Sequence, residues 1–194
     1  LARALPGSHN AQNAAAAYAA TRAVGVPSDA ITKALTSFAG LEHRLQEIAQ
    51  IGAIRFFNDS KATNAEAAAQ ALGAFPTLRW IVGGQAKSDG IKSLAALFPS
   101  VVKAYLVGEA SDAFAKTLTD QVPFEKCGTI DVAVARAFAD ATNSGREETI
   151  VLSPACASFD QFPDFEARGQ YFTACVKGII NPADGLSKSN LVSA

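Results

Sequence analysis

From residue 53 onward, short apolar runs alternate with longer helix-forming stretches, and this alternation restricts the fold more than any other feature of the sequence. Apolar runs of strand length lie at 53–57, 79–83, 101–107, 122–127 and 149–152. Helical patterns lie at 64–74, 92–98, 109–118, 131–142 and 163–179. Strands separated by helices of this length imply βαβ crossovers. The sequence therefore predicts an α/β fold with a doubly wound, mostly parallel sheet.

Residues 44–50 alternate well enough to form one more strand. Ile51 and Gly52 can then turn the chain tightly into 53–57. A hairpin partner of this kind adds an antiparallel strand at the edge of a parallel sheet. The expected sheet is thus six-stranded and Rossmann-like, with one antiparallel edge strand.

The first forty residues have a helical pattern. Ser8 can cap a helix that ends at Gly25, and Ser28 can cap a second helix that ends near Ser37. The chain starts with Leu-Ala-Arg and contains no methionine, so we expect it to be the C-terminal piece of a larger protein. The predicted organisation is a helical remnant, a Rossmann-like domain and a polar tail, at 1–40, 41–180 and 181–194.

Composition narrows the range of partners. The formal net charge is −1 and no long basic run is present, so neither nucleic acid nor an anionic membrane is expected to bind. No apolar run reaches the roughly 18 residues that a membrane span needs. Cys127, Cys156 and Cys175 are odd in number and far apart, which is typical of reduced thiols in a cytoplasmic protein. We expect a cytoplasmic monomer, and we assign no metal ligand in this chain.

Three of the loops that follow predicted parallel strands are rich in polar or small residues. They lie at 58–64, 83–90 and 153–161, whereas the turns after the strands at 101–107 and 122–127 carry few functional groups. Ligands of doubly wound sheets bind at the carboxyl ends of the strands. The sequence therefore predicts a ligand site built from these three loops.

The first loop carries Asp59, Ser60, Lys61 and Thr63 just before an alanine-rich helix. Thr63 or Asn64 is placed to cap that helix. A helix N-terminus presents free N–H groups and the positive end of the dipole, which suit a phosphate or a carboxylate. The alternative is a well-capped helix on an ordinary surface loop.

The second loop, GGQAKS at 83–88, is not a Walker A motif because the glycine before the lysine is missing. Its glycines permit close backbone approach to a ligand, and Lys87 supplies a point charge. The alternative for Lys87 is a solvated loop lysine.

The third loop, SPACASFDQF at 153–162, can hold a carboxylate through backbone N–H groups and the Ser158 hydroxyl. A nucleophilic serine or cysteine needs a histidine partner, and His9 and His43 both precede the sheet. A hydrolase is therefore not expected. Glu166 and Arg168 are predicted to form a surface pair at the start of the last helix.

Polar residues before the sheet complete the candidate set. Asn10 and Asn13 share one face at the start of the first helix, which favours a ligand contact over simple capping. Arg44 lies where the helical segment meets the sheet and can reach a phosphate held there. A linker salt bridge is the alternative for Arg44.

Four stretches, in this order, resemble the C-terminal portion of Mur ligases, in the branch that adds D-glutamate. They are Gly7-x-His9-Asn10-x-x-Asn13, GLEHR at 40–44, NDSKATN at 58–64 and LSPACASFDQF at 152–162. The match covers nearly the whole chain up to about residue 180. The resemblance implies an ATP-dependent amide ligase of peptidoglycan synthesis, which joins D-glutamate to UDP-N-acetylmuramoyl-L-alanine through an acyl phosphate.

The resemblance also implies roles for particular residues. Contacts to ATP are expected from Asn10, Asn13, Arg44 and Asp59. Contacts to D-glutamate are expected from Thr63, Lys87, Ser158, Phe159 and Phe165. Lys61 and Lys87 are the lysines expected to act in catalysis.

The chain lacks other parts of the family pattern, namely the UDP-binding domain, the phosphate-binding loop and the ligands for Mg²⁺. On this interpretation the chain alone is inactive, and Mg²⁺ is held by the missing central domain. Two alternatives stay open. One is a related Mur-type or folylpolyglutamate-type ligase that uses another amino acid, and the other is a non-catalytic nucleotide- or anion-binding module.

Overall fold

A computed structural model of the chain describes residues 7–87 and 90–180. The predicted tail at 181–194, the first six residues, Ser88 and Asp89 therefore lie outside the described residues. The six α-helices are α1 (Ser8–Ala23), α2 (Ser28–Ser37), α3 (Ala65–Leu72), α4 (Ser111–Leu118), α5 (Ile130–Ser144) and α6 (Phe165–Ile180). The six strands are β1 (Gln46–Ile51), β2 (Ile54–Asn58), β3 (Leu78–Gly83), β4 (Val101–Val107), β5 (Phe124–Gly128) and β6 (Glu148–Leu152).

The strands form one sheet in the order β1-β2-β6-β3-β4-β5. The edge strand β1 pairs antiparallel with β2, and every other pairing is parallel. The predicted six-stranded, mostly parallel sheet with one antiparallel edge strand is confirmed. The order places β6, the last of the described strands, between β2 and β3.

Both faces of the sheet are covered, as a doubly wound fold requires. Side chains alternate along β3, so Trp80 and Val82 face a core shared with α3 and α4, while Ile81 faces a core shared with α5 and α6. Trp80, Ile81 and Val82 are all fully buried. Burial on both faces is the reason why this strand appears in the sequence as a continuous apolar run.

Several predicted boundaries are wrong by a few residues. α1 starts at Ser8 with Gly7 as its N-cap, and α2 starts at Ser28 with Pro27 as its N-cap. The Ser28 hydroxyl instead accepts a hydrogen bond from the Tyr18 hydroxyl at 3.0 Å, which packs the two helices together. Each helix therefore begins one residue earlier than predicted.

The segment predicted as a helix at 92–98 is a 3-10 helix at Lys92–Ser100. The backbone N–H of Leu94 donates to the carbonyl of Ile91, three residues back, at 3.0 Å. Pro99 lies inside this segment and has no N–H to donate. The tighter spacing of hydrogen bonds replaces the expected α-helix.

The strand predicted at 44–50 starts later, at Gln46. The residues before it form a narrow turn in which the Arg44 N–H donates to the Leu41 carbonyl at 3.2 Å. His43 and Leu45 have positive φ values of 60° and 46°. Arg44 therefore lies in a tight turn between α2 and the sheet rather than in a strand. No helix within the described ranges is both long and apolar enough to cross a bilayer.

Candidate active site

The three loops predicted to bind a ligand follow three neighbouring strands. The loop at 58–64 leaves β2, the loop at 153–162 leaves β6, and the loop at 83–90 leaves β3. Because β6 lies between β2 and β3 and all three are parallel, the loops emerge side by side at the same edge. The sheet topology thus brings together the three loops from which the sequence analysis predicted a single ligand site.

The loops after β3 and β6 are joined by backbone hydrogen bonds. Gln85 and Ala157 exchange two bonds, of 2.9 and 3.1 Å, as a short antiparallel bridge. Gly84, next to this bridge, has a φ of +127°, and a Cβ there would overlap the Ala157 carbonyl oxygen. A glycine is therefore required for the two backbones to approach so closely. The bridge also fixes the chain two residues before Lys87.

The loop at 153–162 also extends across the carboxyl ends of β4 and β5. Asp160 accepts a hydrogen bond from the Glu109 N–H at 3.1 Å, after β4. Gln161 donates to the Gly128 carbonyl at 2.9 Å, at the end of β5. The two turns that carry few functional side chains therefore hold the third loop through their backbone.

Arg168 connects the third loop to the first. Its guanidinium donates from Nε to Ser60 Oγ at 2.9 Å, from Nη2 to the Ser60 carbonyl at 2.8 Å and from Nη1 to the Cys156 carbonyl at 3.0 Å. The residue is only 2% exposed. Burial lowers the pKa of Arg168 to about 10. The Ser60 hydroxyl in turn donates to the Phe165 carbonyl at 2.8 Å, at the start of α6.

The predicted surface pair of Glu166 and Arg168 is therefore wrong. Glu166 is exposed, whereas Arg168 lies on the buried face of α6 with Phe172 and Cys175. Residues two positions apart point to different sides of a helix, so the two side chains could not face each other. The buried carbonyl oxygens of the first and third loops compensate the desolvated guanidinium, which is why the charge is tolerated there.

Asp59 joins the first loop to two other segments, the turn before β1 and the start of the third loop. Its Oδ1 accepts from the Leu45 N–H at 3.0 Å, and its Oδ2 accepts from the Ser153 hydroxyl at 2.8 Å. Burial raises the pKa of Asp59 to about 7, although these two donors and the charge of Arg44 oppose the rise. The carboxylate is thus held rigidly at the point where the turn before β1 meets the sheet.

His43, in the same turn, is buried against α6. The Asn58 side-chain amide lies 3.2 Å from His43 Nδ1 and also donates to the Gly169 carbonyl at 2.9 Å. A Cβ on Gly169 would overlap the His43 ring. The Lys61 N–H donates to the His43 carbonyl at 3.0 Å. The turn is therefore fixed to both the first loop and the last helix.

A cavity of about 730 Å³ lies between the two N-terminal helices and the first loop. Its walls are mostly apolar, with side chains such as Ala14, Ile31 and Phe38. The polar residues that line it include five of the predicted site residues, Asn10, Asn13, Arg44, Asp59 and Lys61. An apolar cavity of this volume with a few convergent polar groups is typical of small-molecule and nucleotide sites.

The residues predicted for the amino acid do not line this cavity. They are Thr63, Lys87, Ser158, Phe159 and Phe165. Phe165 is connected to the cavity through Lys61, which lines the cavity and whose Nζ lies 3.8 Å from the centroid of the Phe165 ring. Of the two residues predicted as the N-cap of α3, Asn64 and not Thr63 is the cap, and its side chain accepts from the Ala67 N–H at 2.8 Å.

The three remaining residues differ in exposure. Ser158 is 2% exposed and Phe159 is 68% exposed, although they are neighbours in the same loop. Lys87 is exposed. Phe159 is one of a few large apolar side chains left exposed in the described structure, and it directly follows the buried Ser158 in the third loop. Among the described residues, no group of three His, Cys, Asp or Glu side chains is placed to hold a metal ion.

Sequence reasoning missed Arg168, Asp160 and Gln161, which hold the loops in place. A usable signal existed for Arg168, since it lies four residues before Phe172 and seven before Cys175, on the helix face that is otherwise apolar. No local pattern marks Asp160 or Gln161 in this way. Their partners are backbone groups of loops 33 and 51 residues away in the chain.

Comparison with known proteins identifies close relatives over most of this chain. It is 54% identical over 182 residues to the UDP-N-acetylmuramoylalanine–D-glutamate ligase of Caulobacter sp. strain K31, a match that covers 94% of this chain and 39% of that protein. The enzymes of the same name from Phenylobacterium zucineum and Rhizobium johnstonii are 53% and 54% identical, over 95% and 93% of this chain. The chain spans about two-fifths of the length of these relatives.

The fold of this chain is similar to that of a solved structure. The crystal structure of the UDP-N-acetylmuramate–alanine ligase MurC from Thermotoga maritima aligns with a TM-score of 0.59 over 90% of this chain and 39% of that one. The sequence identity is 14%, so this match shows the fold alone. A scan against protein-family models gives no match.

Proposed function

We propose that this chain, a homologue of part of the UDP-N-acetylmuramoylalanine–D-glutamate ligases, is the C-terminal part of a monomeric cytoplasmic enzyme with that activity. The sequence identity of 54% over 94% of the chain is the observation that carries the proposal. The enzyme would use ATP to join D-glutamate to UDP-N-acetylmuramoyl-L-alanine in peptidoglycan synthesis. In this proposal residues 1–40 end the central domain and residues 41–180 form the amino-acid-binding domain.

The nucleotide is assigned to the cavity between the N-terminal helices and the first loop. A volume of about 730 Å³ fits a nucleotide-sized ligand, and the apolar walls suit a base. Asn10 and Asn13 present amides on the α1 side of this cavity. Arg44, in the turn before β1, and Asp59, in the first loop, also line this cavity, and Arg44 is exposed enough to reach a phosphate.

D-Glutamate is assigned to the loops at the carboxyl ends of β2, β6 and β3. Its two carboxylates need cationic and hydroxyl donors, which Lys87, Ser158 and Thr63 supply. The start of α3, just after Thr63, adds the positive end of a helix dipole. Phe159 and Phe165 would cover the aliphatic part of the ligand. The bridge between Gln85 and Ala157 supports this assignment, because it joins the loop of Lys87 to the loop of Ser158.

The proposed reaction proceeds in two steps. The carboxylate of the nucleotide-linked substrate attacks the terminal phosphorus of ATP, which releases ADP and leaves an acyl phosphate. The amine of D-glutamate then attacks the acyl carbon, an amide bond forms, and inorganic phosphate leaves. Lys61 borders the cavity and also lies against Phe165, so it is placed to stabilise negative charge between the two ligands. Lys87 would orient D-glutamate for attack.

Mg²⁺ is expected to neutralise the charge of ATP in such a reaction. The described residues do not include a carboxylate cluster that could bind it, so no step is assigned to Mg²⁺ through this chain. We expect residues 1–194 alone to show no ligase activity, because the proposal leaves the metal and the acceptor substrate to the rest of the protein.

The proposal is tested with the full-length parent enzyme by measuring phosphate release from ATP. We expect release only when UDP-N-acetylmuramoyl-L-alanine and D-glutamate are both present. Parallel assays with L-glutamate, L-lysine or glycine in place of D-glutamate distinguish this function from that of a related ligase. Equal turnover with one of these amino acids, or no dependence on an amino acid at all, would overturn the proposed function.

A further inference from the structure

Arg168 is buried at the junction of the two loops that the proposed function assigns to the amino acid. We propose that it is a positioning residue that sets the distance between the Ser158 loop and the Thr63 loop, and so determines how tightly D-glutamate is held. The inference rests on the proposed function and extends it. None of the roles assigned above, to the nucleotide or to the amino acid, includes this arginine.

The hydrogen bonds of Arg168 join the two loops directly. Nε donates to the Ser60 hydroxyl at 2.9 Å, and Nη2 donates to the Ser60 carbonyl at 2.8 Å. Ser60 lies one residue before Lys61 and three before Thr63. Nη1 holds the Cys156 carbonyl at 3.0 Å, two residues before Ser158. The guanidinium is rigid and planar, so these three bonds fix the loops at one separation.

Ser60 extends the connection to a third assigned residue. Its hydroxyl accepts from Arg168 Nε and donates to the carbonyl of Phe165, at the first turn of α6. Phe165 in turn lies under Lys61 Nζ. A shift of Arg168 would therefore move the backbone near Thr63, Ser158 and Phe165 together.

All three guanidinium nitrogens of Arg168 already donate to oxygens of the two loops. The residue is 2% exposed. The cavity beside it, also lined by Gly84 and Asp160, has a volume of only about 10 Å³, which holds at most one water molecule. A Cβ on Gly84 would lie 3.3 Å from Nη1, so the second loop is packed closely as well. Arg168 must act through the loops rather than on the ligand.

A lysine cannot replace this arrangement. One ammonium group is a compact point charge on a flexible stem and cannot hold both the Ser60 backbone and the Cys156 carbonyl in the geometry of the planar fork. Arg168→Lys keeps the positive charge and most of the volume but loses the fixed spacing. It is therefore the most informative substitution.

Arg79 is a second buried arginine, and its substitution serves as the control for the loss of a buried arginine in general. It is 6% exposed and donates to Glu148 Oε1 at 3.0 Å and to the Tyr105 hydroxyl at 3.2 Å. It lies near the amino end of β3, at the opposite edge of the sheet from the loops. Arg79→Lys removes a comparable buried network, so it reports the effect of lost stability without a change in loop spacing.

The experiment compares the full-length parent enzyme with its Arg168→Lys and Arg79→Lys variants. Thermal unfolding and steady-state kinetics with each substrate varied in turn are measured for all three. We expect Arg168→Lys to raise the KM for D-glutamate by about tenfold or more, because hydrogen-bonded contacts in the pocket are misaligned. The KM values for ATP and the muramoyl substrate should change less than about twofold. Arg79→Lys should lower the unfolding temperature but leave the KM for D-glutamate unchanged.

A folded Arg168→Lys enzyme with an unchanged KM for D-glutamate would overturn the inference, as would an equal rise in all three KM values. If this variant does not fold, Ser60→Ala decides the question, because it removes only the hydroxyl link between Arg168 and Phe165. A rise in the KM for D-glutamate alone supports the inference, and no rise overturns it. Failure of the proposed function is distinguished by the wild-type enzyme, which would then not depend on D-glutamate.

Discussion

The backbone N–H of Leu45 donates a hydrogen bond to Asp59 Oδ1 at 3.0 Å, and this bond joins the turn before the sheet to the first loop at its carboxyl edge. The second oxygen of Asp59 accepts from the Ser153 hydroxyl at the start of the third loop. A single buried carboxylate therefore connects three segments of the candidate site. Its protonation state should affect stability.

The free energy of unfolding should fall as pH rises from about 4 to 7. Burial raises the pKa of Asp59 to about 7 from an ordinary value of 3.8. Within this range the folded chain holds a proton that the unfolded chain has released, so a higher pH favours unfolding. The contribution across the whole range is about 4 kcal/mol. Chemical denaturation of the chain at several pH values measures it.

Asp59→Asn is the matched variant because it keeps the shape of the side chain and cannot ionise. The variant should lose less stability than the wild type between pH 4 and 7. Identical pH profiles for the two proteins would show that Asp59 does not titrate in this range.

Gly169→Ala should destabilise the fold. A methyl group there would overlap the His43 ring, which is buried between Asn58 and α6. We expect a loss of about 1–3 kcal/mol, typical of an overpacked core. His43→Ala should restore much of this loss in the double variant, since it removes the ring that clashes. Denaturation curves of the four proteins form a double-mutant cycle, and simple additivity would contradict the predicted clash.

Lys87→Ala in the full-length parent enzyme should raise the KM for D-glutamate far more than the KM for ATP. The expected loss is a charge-assisted hydrogen bond of roughly 1.5–3 kcal/mol. Lys116→Ala is the control, since this lysine lies in the last turn of α4 and has no assigned role. Steady-state kinetics measure both variants. An unchanged KM for D-glutamate would remove Lys87 from the proposed pocket.

Arg44→Ala in the full-length parent enzyme should raise the KM for ATP far more than the KM for D-glutamate, which is the reverse of the effect expected for Lys87→Ala. Arg44 lines the 730 Å³ cavity and is exposed to it, so its loss should raise the KM for ATP by about tenfold or more. The KM for D-glutamate should stay nearly constant. Arg146→Ala is the control, because Arg146 is exposed in the connection between α5 and β6. Equal effects of the two substitutions on ATP would argue against a phosphate contact by Arg44.

The fold was predictable because its signals are local. Each strand, such as β3 with Trp80 at its centre, forms a short apolar run, and helices of similar length separate the strands. The rule that ligands bind at the carboxyl ends of strands then selected the loops of Asp59, Lys87 and Ser158. The strand order that places these loops side by side was not predicted, because it depends on pairing between distant segments.

The residues that hold the loops of the site in place were harder to predict from the sequence. A charged residue on a helix is usually solvated, so Arg168 was assigned to the surface. The structure buries it because two loops from distant parts of the chain provide carbonyl acceptors at the same place. Asp160 likewise bonds to a backbone N–H, and a backbone group carries no signal in the sequence.

The position of β6 has a consequence for the order in which the protein is assembled. Of the strands that the structure describes, β6 is the last to be synthesised, yet β2 and β3 are joined to each other only through it. Before residues 148–152 leave the ribosome, the nascent chain can form the β1–β2 hairpin and the β3–β4–β5 sheet only as separate pieces. The three loops of the candidate site can therefore come together only after residues 148–162 have been synthesised. A nascent chain arrested at residue 147 should bind no ligand at this edge.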